Sequence, residues 1–314
     1  MEKILVTDAV HHLLLEGFEN VGYVCDYEPE ISAEEVQAKI ENYVGLIVNS
    51  KILADEKLID QAKKLRFIGR LGSGREVVDI PYANSKGIGV FFSPEGNSNA
   101  VAEHALGMLL ALANNLLRAD YEVRQKNWQR EKNRGWELRG KTIGIIGFGH
   151  TGKAFASKLK SMEMNIIAYD KYLDSFEKKY DFVLKKDLNY LLETADIISF
   201  HLPLTAETKY FCDTTFLEKC KQNVVLINTS RGNVVETKSL LEALELEKIK
   251  GACLDVFENE KVHNFSQDEE KIYTKLYKYP NIILSPHIAG WTKESKESLA
   301  QVLLNKILAF EKKI

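Results

Sequence analysis

Five apolar runs from residue 142 onward, residues 142–146, 166–169, 197–200, 224–227 and 252–257, set the narrowest limit on its fold. A strand with one wet face alternates polar and apolar residues, whereas an unbroken run implies cover on both faces, the condition of a parallel strand between helices. The first third repeats the alternation in shorter pieces. Its strand candidates are 3–7, 45–48, 67–71 and 89–92, and between them 33–43 and 55–64 carry apolar residues at helical spacing, with acids early and lysines late. Strands alternating with helices in this way predict the α/β class, here as two doubly wound parallel sheets. At 314 residues and 45% hydrophobic composition, the chain can bury two separate cores.

Between the two alternations lies SNAVAEHALGMLLALANNLLRADYEVRQ, residues 98–125, which reads as one long bridging helix with Ser98 or Asn99 as its cap. Residues 293–312 are again amphipathic and are expected to return to the first sheet. The expected domains are therefore 1–97 with 290–314, and an inserted 98–289. Residues 261–279 read as a charged surface insert with a short helix.

Residues 142–152, TIGIIGFGHTG, place Gly147, Gly149 and Gly152 in G-x-G-x-x-G spacing after a strand and before a helical stretch. The first glycine permits a tight turn, the second lets backbone amides approach a pyrophosphate, and the third lets the helix pack on its strand. The next strand ends in Asp170, near the ~20-residue spacing at which a carboxylate accepts hydrogen bonds from a ribose. That carboxylate would repel a 2′-phosphate, so the expected cofactor is NAD rather than NADP.

Three charged or titratable residues end the later apolar runs, where open parallel sheets place their ligands: Arg231 in INTSRG, Glu260 in LDVFENE and His287 in SPHIAG. A guanidinium can hold a carboxylate and polarise a neighbouring carbonyl. An imidazole can protonate the oxygen that gains charge when hydride reaches carbon, and a carboxylate beside it orients the ring and favours its charged form. Taken singly, each residue could be an ordinary surface ion pair, loop acid or strand-end histidine. His104, on the bridging helix, reads as a packing or interface residue.

A net charge of −3 offers no basic stripe for a phosphate backbone, so no nucleic-acid partner is expected. Four scattered cysteines without metal spacing suit a reducing compartment and imply no metal. The opening MEKILVTDAV lacks the features of a signal peptide, and no run is long and apolar enough to span a bilayer, so the expected location is cytoplasmic, with no membrane partner.

These motifs together resemble the D-isomer-specific 2-hydroxyacid dehydrogenase family over most of the chain. RLGSGREVVD from Arg70 is similar to the family's substrate-domain glycine loop and PEGNSNAVAE from Pro94 to its domain-crossing segment; GFGHTG, HLPLTAET, INTSRG, DVFENE and SPHIAG follow in family order. The resemblance implies a Rossmann NAD-binding domain inserted into a flavodoxin-like substrate domain. It implies hydride transfer between NAD(H) and C2 of a small 2-hydroxy or 2-keto acid, catalysed by Arg231, Glu260 and His287. His150, Thr151, His201, Pro203, Thr229, Ser230, Asp255 and Gly290 would join the glycines and Asp170 around the cofactor. Ser73, Gly74, Arg75 and Arg231 would meet the substrate, the first two through backbone amides. A homodimer across the bridging helix is implied, since residues 105–117 look too apolar for solvent.

Within the family, the wording is most similar to the D-3-phosphoglycerate dehydrogenases, which implies 3-phosphoglycerate as substrate. Two departures stand against this: Asn49-Ser50-Lys51 replaces an expected Arg-Ser, leaving Lys51 or Arg75 for a substrate phosphate, and Lys261 replaces a proline after Glu260. A glyoxylate or hydroxypyruvate reductase, or an NAD-sensing binding protein on the same fold, are the alternatives. A formate dehydrogenase is disfavoured, because those enzymes carry an amide where Glu260 stands.

Overall fold

In the computed structural model, which describes residues 1–312, the chain forms two compact units, Met1–Ser98 with Trp291–Ile314 and Asn99–Gly290. The last two residues of the expected tail, Lys313 and Ile314, lie outside the described residues. In chain order the elements are β1 (Lys3–Val6), α1 (His12–Glu19), β2 (Val24–Tyr27), α2 (Ala33–Lys39), β3 (Gly45–Val48), α3 (Glu56–Gln61), β4 (Phe67–Arg70), α4 (Ile80–Ser85) and β5 (Gly89–Phe92). There follow α5 (Ser98–Ala113), α6 (Leu116–Arg124), β6 (Thr142–Ile146), α7 (His150–Leu159), β7 (Asn165–Tyr169), β8 (Val183–Lys185), α8 (Leu188–Thr194) and β9 (Ile197–Phe200). The chain closes with α9 (Thr214–Lys219), β10 (Val224–Asn228), α10 (Thr237–Glu245), β11 (Ile249–Leu254), α11 (Gln267–Leu276), β12 (Ile282–Leu284) and α12 (Lys293–Glu311).

The first unit carries five parallel strands in the order β2-β1-β3-β4-β5, the flavodoxin-like arrangement. Successive residues of each inner strand feed opposite faces. Leu5, Leu46 and Val48 enter the layer under α2 and α3, while Ile4, Val6 and Ile47 join Ala300, Leu303, Leu304 and Ile307 of α12. Arg66, at the foot of β4, pairs with Glu2 and with Glu311 at the end of α12, tying the tail to this sheet.

The second unit has seven parallel strands in the order β12-β11-β10-β9-β6-β7-β8, the doubly wound nucleotide-binding order with one added edge strand. Both faces are covered: along β10, Val224 and Leu226 enter one core, Val225 and Ile227 the other. The winding reverses between β6 and β9. That reversal is the switch point beside which open parallel sheets take their ligands.

Three expectations are corrected. Residues 98–125 are not one helix: α5 and α6 meet at 61° because Asn115 adopts a left-handed backbone with φ +52°, a conformation that Asn tolerates and that ends the hydrogen-bond ladder. Ser98 and Asn99 do not present their side chains as caps; Ser98 donates to the Glu95 carbonyl and Asn99 to Glu103. The apolar residues Ala105, Met108, Leu109, Leu112 and Ala113 are kept from solvent, as expected, but by the second unit's own core, so they do not offer the surface expected for a dimer. The exposed apolar surface lies further on, at Leu116, Leu117, Tyr121, Val123 and Trp128.

The bend makes a prediction. Asn115→Val should destabilise the protein by about 1–2 kcal/mol, whereas Asn115→Gly should stay within about 0.5 kcal/mol of the parent, since only glycine adopts this backbone without penalty. Urea midpoints check this; equal midpoints would show that the left-handed backbone does not set the bend.

Candidate active site

β6 delivers the chain into Gly147, whose φ of +89° belongs to glycine, and a Cβ there would sit 2.4 Å from the carbonyl oxygen of His201. Gly152, inside the first turn of α7, lies so close to the same turn that a Cβ would meet the Gly147 carbonyl oxygen at 2.2 Å. Gly149 is different, because a Cβ added there would touch nothing within 4 Å. Gly149 caps α7 with no side-chain hydrogen bond, and His150 and Thr151 begin the helix. An anion could reach the amides of this end. Asp170, following β7, turns its carboxylate onto the same turn, accepting from the amides of Phe148 at 2.8 Å and Tyr172 at 2.9 Å.

His201 follows β9. Its ring packs against Phe155 with centroids 5.4 Å apart, and Nε2 meets the Ser199 hydroxyl at 2.9 Å. Burial pushes the imidazole down to about 3, so the ring is neutral, and what His201 presents to the glycine turn is its backbone carbonyl. Pro203 is exposed beyond it, its carbonyl accepting from Thr208.

Three loops at the ends of β10, β11 and β12 carry the remaining groups. Asn228, the last residue of β10, organises the first: its amide donates to the Arg231 carbonyl at 2.9 Å, while its oxygen accepts from the amide and hydroxyl of Ser230. Arg231 then doubles back, donating from Nη1 to the Ser230 carbonyl at 2.7 Å. Gly232 brings this loop onto the next one, for its ideal Cβ would overlap the Phe257 carbonyl oxygen at 1.8 Å. The hydroxyl of Thr229 is buried with no hydrogen-bond partner.

Asp255, after β11, is fully buried, and its carboxylate accepts from the Ser285 hydroxyl at 2.6 Å and from the amides of Ile288 at 2.9 Å and Ala289 at 2.8 Å. The loop after β12 is thereby wrapped around it. His287, in the middle of that loop, adopts φ +55° and donates its amide to the Asp255 carbonyl. From this position, Nδ1 of His287 lies 2.9 Å from Oε2 of Glu260. Burial alone would raise the Glu260 carboxyl; the hydrogen bond and charge of His287, a backbone hydrogen bond at Phe257 and the charge of Arg231 together hold it below 4.5. Glu260 is therefore a carboxylate at neutral pH. Both side chains stay open to a ligand, at 47% and 41% exposure.

Arg231, Glu260 and His287 thus converge from three separate loops of one unit. Gly290 ends that unit. Ser73, Gly74 and Arg75 lie on a loop of the first unit that follows β4; there Gly72 and Ser93 exchange hydrogen bonds, and the Arg75 guanidinium lies 5.7 Å over the Phe92 ring. Lys51 donates to the Pro29 carbonyl at 2.5 Å.

Sequence reading missed Asn228, whose signal is an Asx residue ending a strand two places before a serine. It also missed the use of His104, which holds Ser285 at 2.8 Å and so steadies the loop of His287.

Among the described residues, no group of three or more His, Cys, Asp and Glu is arranged to hold a metal ion. A dinucleotide fits instead: an open glycine at a helix end, a fixed carboxylate where a ribose would lie, and the unpaired Thr229 hydroxyl.

Residues 106–289 match the family described as D-isomer specific 2-hydroxyacid dehydrogenase, NAD binding domain. The chain belongs to this family. It is 34% identical to the D-3-phosphoglycerate dehydrogenase of Archaeoglobus fulgidus over 310 residues, which is 99% of this chain but 57% of that protein. The chain thus spans a little over half the length of that relative. It is 32% identical to the glyoxylate reductase of Pyrococcus furiosus, covering 99% of this chain and 92% of the relative. The D-lactate dehydrogenase of Aquifex aeolicus, solved with NAD and lactic acid, superposes with a TM-score of 0.82 at 27% identity over 99% of this chain and 96% of that one.

Two outcomes follow from the glycine geometry and the paired carboxylate. Gly149→Ala should weaken NADH binding at least tenfold while leaving the urea midpoint unchanged, because its Cβ meets no protein atom and stands where a pyrophosphate is expected; Gly152→Ala should lower both. Equal stability losses in titration and unfolding experiments would reject that division. Glu260, with its carboxyl held low, contributes stability above 4.5 that is lost as pH falls through the lowered value. Acidification from about pH 5 to about pH 3 should therefore cost Glu260→Gln less urea resistance than the parent, and identical losses would contradict the pairing.

Proposed function

We propose that the chain is an NAD-dependent dehydrogenase that interconverts a small D-2-hydroxy acid and its 2-keto acid. The observation carrying this reading is the His287–Glu260 pair at 2.9 Å, with Arg231 close enough for its charge to act on Glu260, inside the family's NAD binding domain. NAD, when bound, supplies or accepts the hydride at C2. Arg231 holds the substrate carboxylate and polarises the C2 oxygen through its fork of donors. Glu260 engages Nδ1, so Nε2 of His287 is the ring nitrogen that gives a proton to the C2 oxygen in reduction and removes it in oxidation. Gly147, Gly149, His150, Thr151 and Gly152 would bind the pyrophosphate, and Asp170 the ribose hydroxyls, favouring NAD over NADP. Thr229, Ser230 and Gly290 complete the cofactor's surroundings, while Asp255 acts by holding the His287 loop. The amides of Ser73 and Gly74 are assigned to the substrate carboxylate by resemblance.

For the substrate, relatives named D-3-phosphoglycerate dehydrogenase support a phosphorylated three-carbon acid. Glyoxylate or hydroxypyruvate is favoured by a specific observation: Lys51, a candidate phosphate cation, is engaged by the Pro29 carbonyl. The exposed apolar side chains of α6 and Trp128 support a homodimer built on that surface. Four cysteines without a disulfide support a cytoplasmic location.

His287→Ala should lower kcat by about 10²–10⁴ while NADH affinity is retained, and unchanged turnover would reject His287 as the proton donor. NADH oxidation with phosphohydroxypyruvate, hydroxypyruvate, glyoxylate and pyruvate identifies the substrate by the highest kcat/KM. No turnover with any of the four would favour the NAD-sensing alternative.

A further inference from the structure

The insert after Glu260 is the expected charged surface segment with a short helix, and it is tethered to the body beneath it. Ser266 and Glu269 form a reciprocal capping box that starts α11, and the helix turns Tyr273 inward to 2% exposure. The Tyr273 ring stacks on Phe265 at 4.6 Å and meets the Phe257 ring edge-on at 6.2 Å. Phe257 is the residue whose backbone bonds Glu260.

Between them stands Asn259, with its backbone amide and both side-chain polar groups committed. Its backbone amide points to the Tyr273 hydroxyl at 3.4 Å, its side-chain amide donates to Oε1 of Glu269 at 3.0 Å, and its side-chain oxygen accepts from the Lys261 amide at 2.9 Å. The last two bonds bracket Glu260, one reaching past it along the chain and the other reaching out to the helix. The other oxygen of Glu269 accepts from the Ser266 amide, so the acceptor is itself fixed and charged. On the near side, Glu258 accepts from the Thr237 amide at the start of α10 at 2.6 Å. Glu260, with 41% of its side chain exposed, is not held by packing; these polar anchors hold its backbone.

We infer that α11 is a positioning element for the catalytic carboxylate, with Glu269 and Tyr273 acting through Asn259 to set where Glu260 stands against His287. The inference rests on the reading that Glu260 and His287 perform the proton chemistry. A general acid works only within hydrogen-bond reach, and a misplacement of ~1 Å can cost as much as ~10² in rate. Loss of the Asn259 anchor should therefore reduce turnover without touching the cofactor.

Steady-state kinetics with NADH and the best 2-keto acid test this. Asn259→Ala and Glu269→Ala should each lower kcat about tenfold with KM for NADH within about twofold of the parent, while Glu269→Gln, which keeps an acceptor oxygen, should restore kcat to within about threefold. Ser266→Ala weakens the start of α11 without touching Asn259 and should keep the parent kcat. In a Glu260→Gln background, Asn259→Ala should add less than about a twofold loss, because both changes act on one carboxylate. The inference is overturned by parent-like kcat in both alanine variants, by additive losses in the double variant, or by a Ser266→Ala defect as large as that of Glu269→Ala. Parent-like turnover by Glu260→Gln itself would instead remove the reading of Glu260 on which the inference stands.

Discussion

Asp255 is a carboxylate with no exposed surface, and its two oxygens must find donors inside the protein. Leaving a buried charged acceptor unsatisfied costs upwards of ~1–3 kcal/mol, so the loop after β12 wraps it with one hydroxyl and two amides. That wrap places His287 in a left-handed backbone, a strain of about 1–2 kcal/mol that the hydrogen bonds to Asp255 offset. The reward is directional. With its amide committed to the Asp255 carbonyl, His287 can aim its ring in few ways, and Glu260 occupies one of them.

The remaining groups follow from the same economy of close approach. Parallel strands bring their carboxyl ends to one edge, but charged side chains on separate loops converge only if the loops themselves touch. Gly232 supplies that contact between the Arg231 loop and Phe257, as Gly147 and Gly152 do beside β6. A single added Cβ would push these segments apart. The same loops that bury backbone against backbone thus bring Glu260 onto His287 and Arg231 close enough for its charge to act on Glu260.

Much of this could be read before any coordinates. Interior strands are covered on both faces and so announce themselves as apolar runs, and chemistry at their ends is recognisable because the topology delivers strand ends to ligands. The edge strands β2, β8 and β12 were not recognised: Val24–Tyr27 is interrupted by Asp26, Val183–Lys185 offers two apolar residues before a lysine, and Ile282–Leu284, though apolar throughout, is only three residues long. The bend at Asn115 was hidden because one left-handed residue leaves helical periodicity intact on either side. His201 and Asp255 were placed around the cofactor by motif alone. In the fold, one turns its ring inward and the other spends its carboxylate on a neighbouring loop, and residue order carries no sign of either orientation.

The measurement that bears most directly on this convergence is a crystal structure with NADH and oxamate, an inert analogue of a 2-keto acid. The account predicts the Arg231 guanidinium on the oxamate, Nε2 of His287 within hydrogen-bond distance of the oxygen that marks C2, and Glu260 still on Nδ1. Oxamate bound away from these side chains, or His287 swung off Glu260 in the complex, would contradict it.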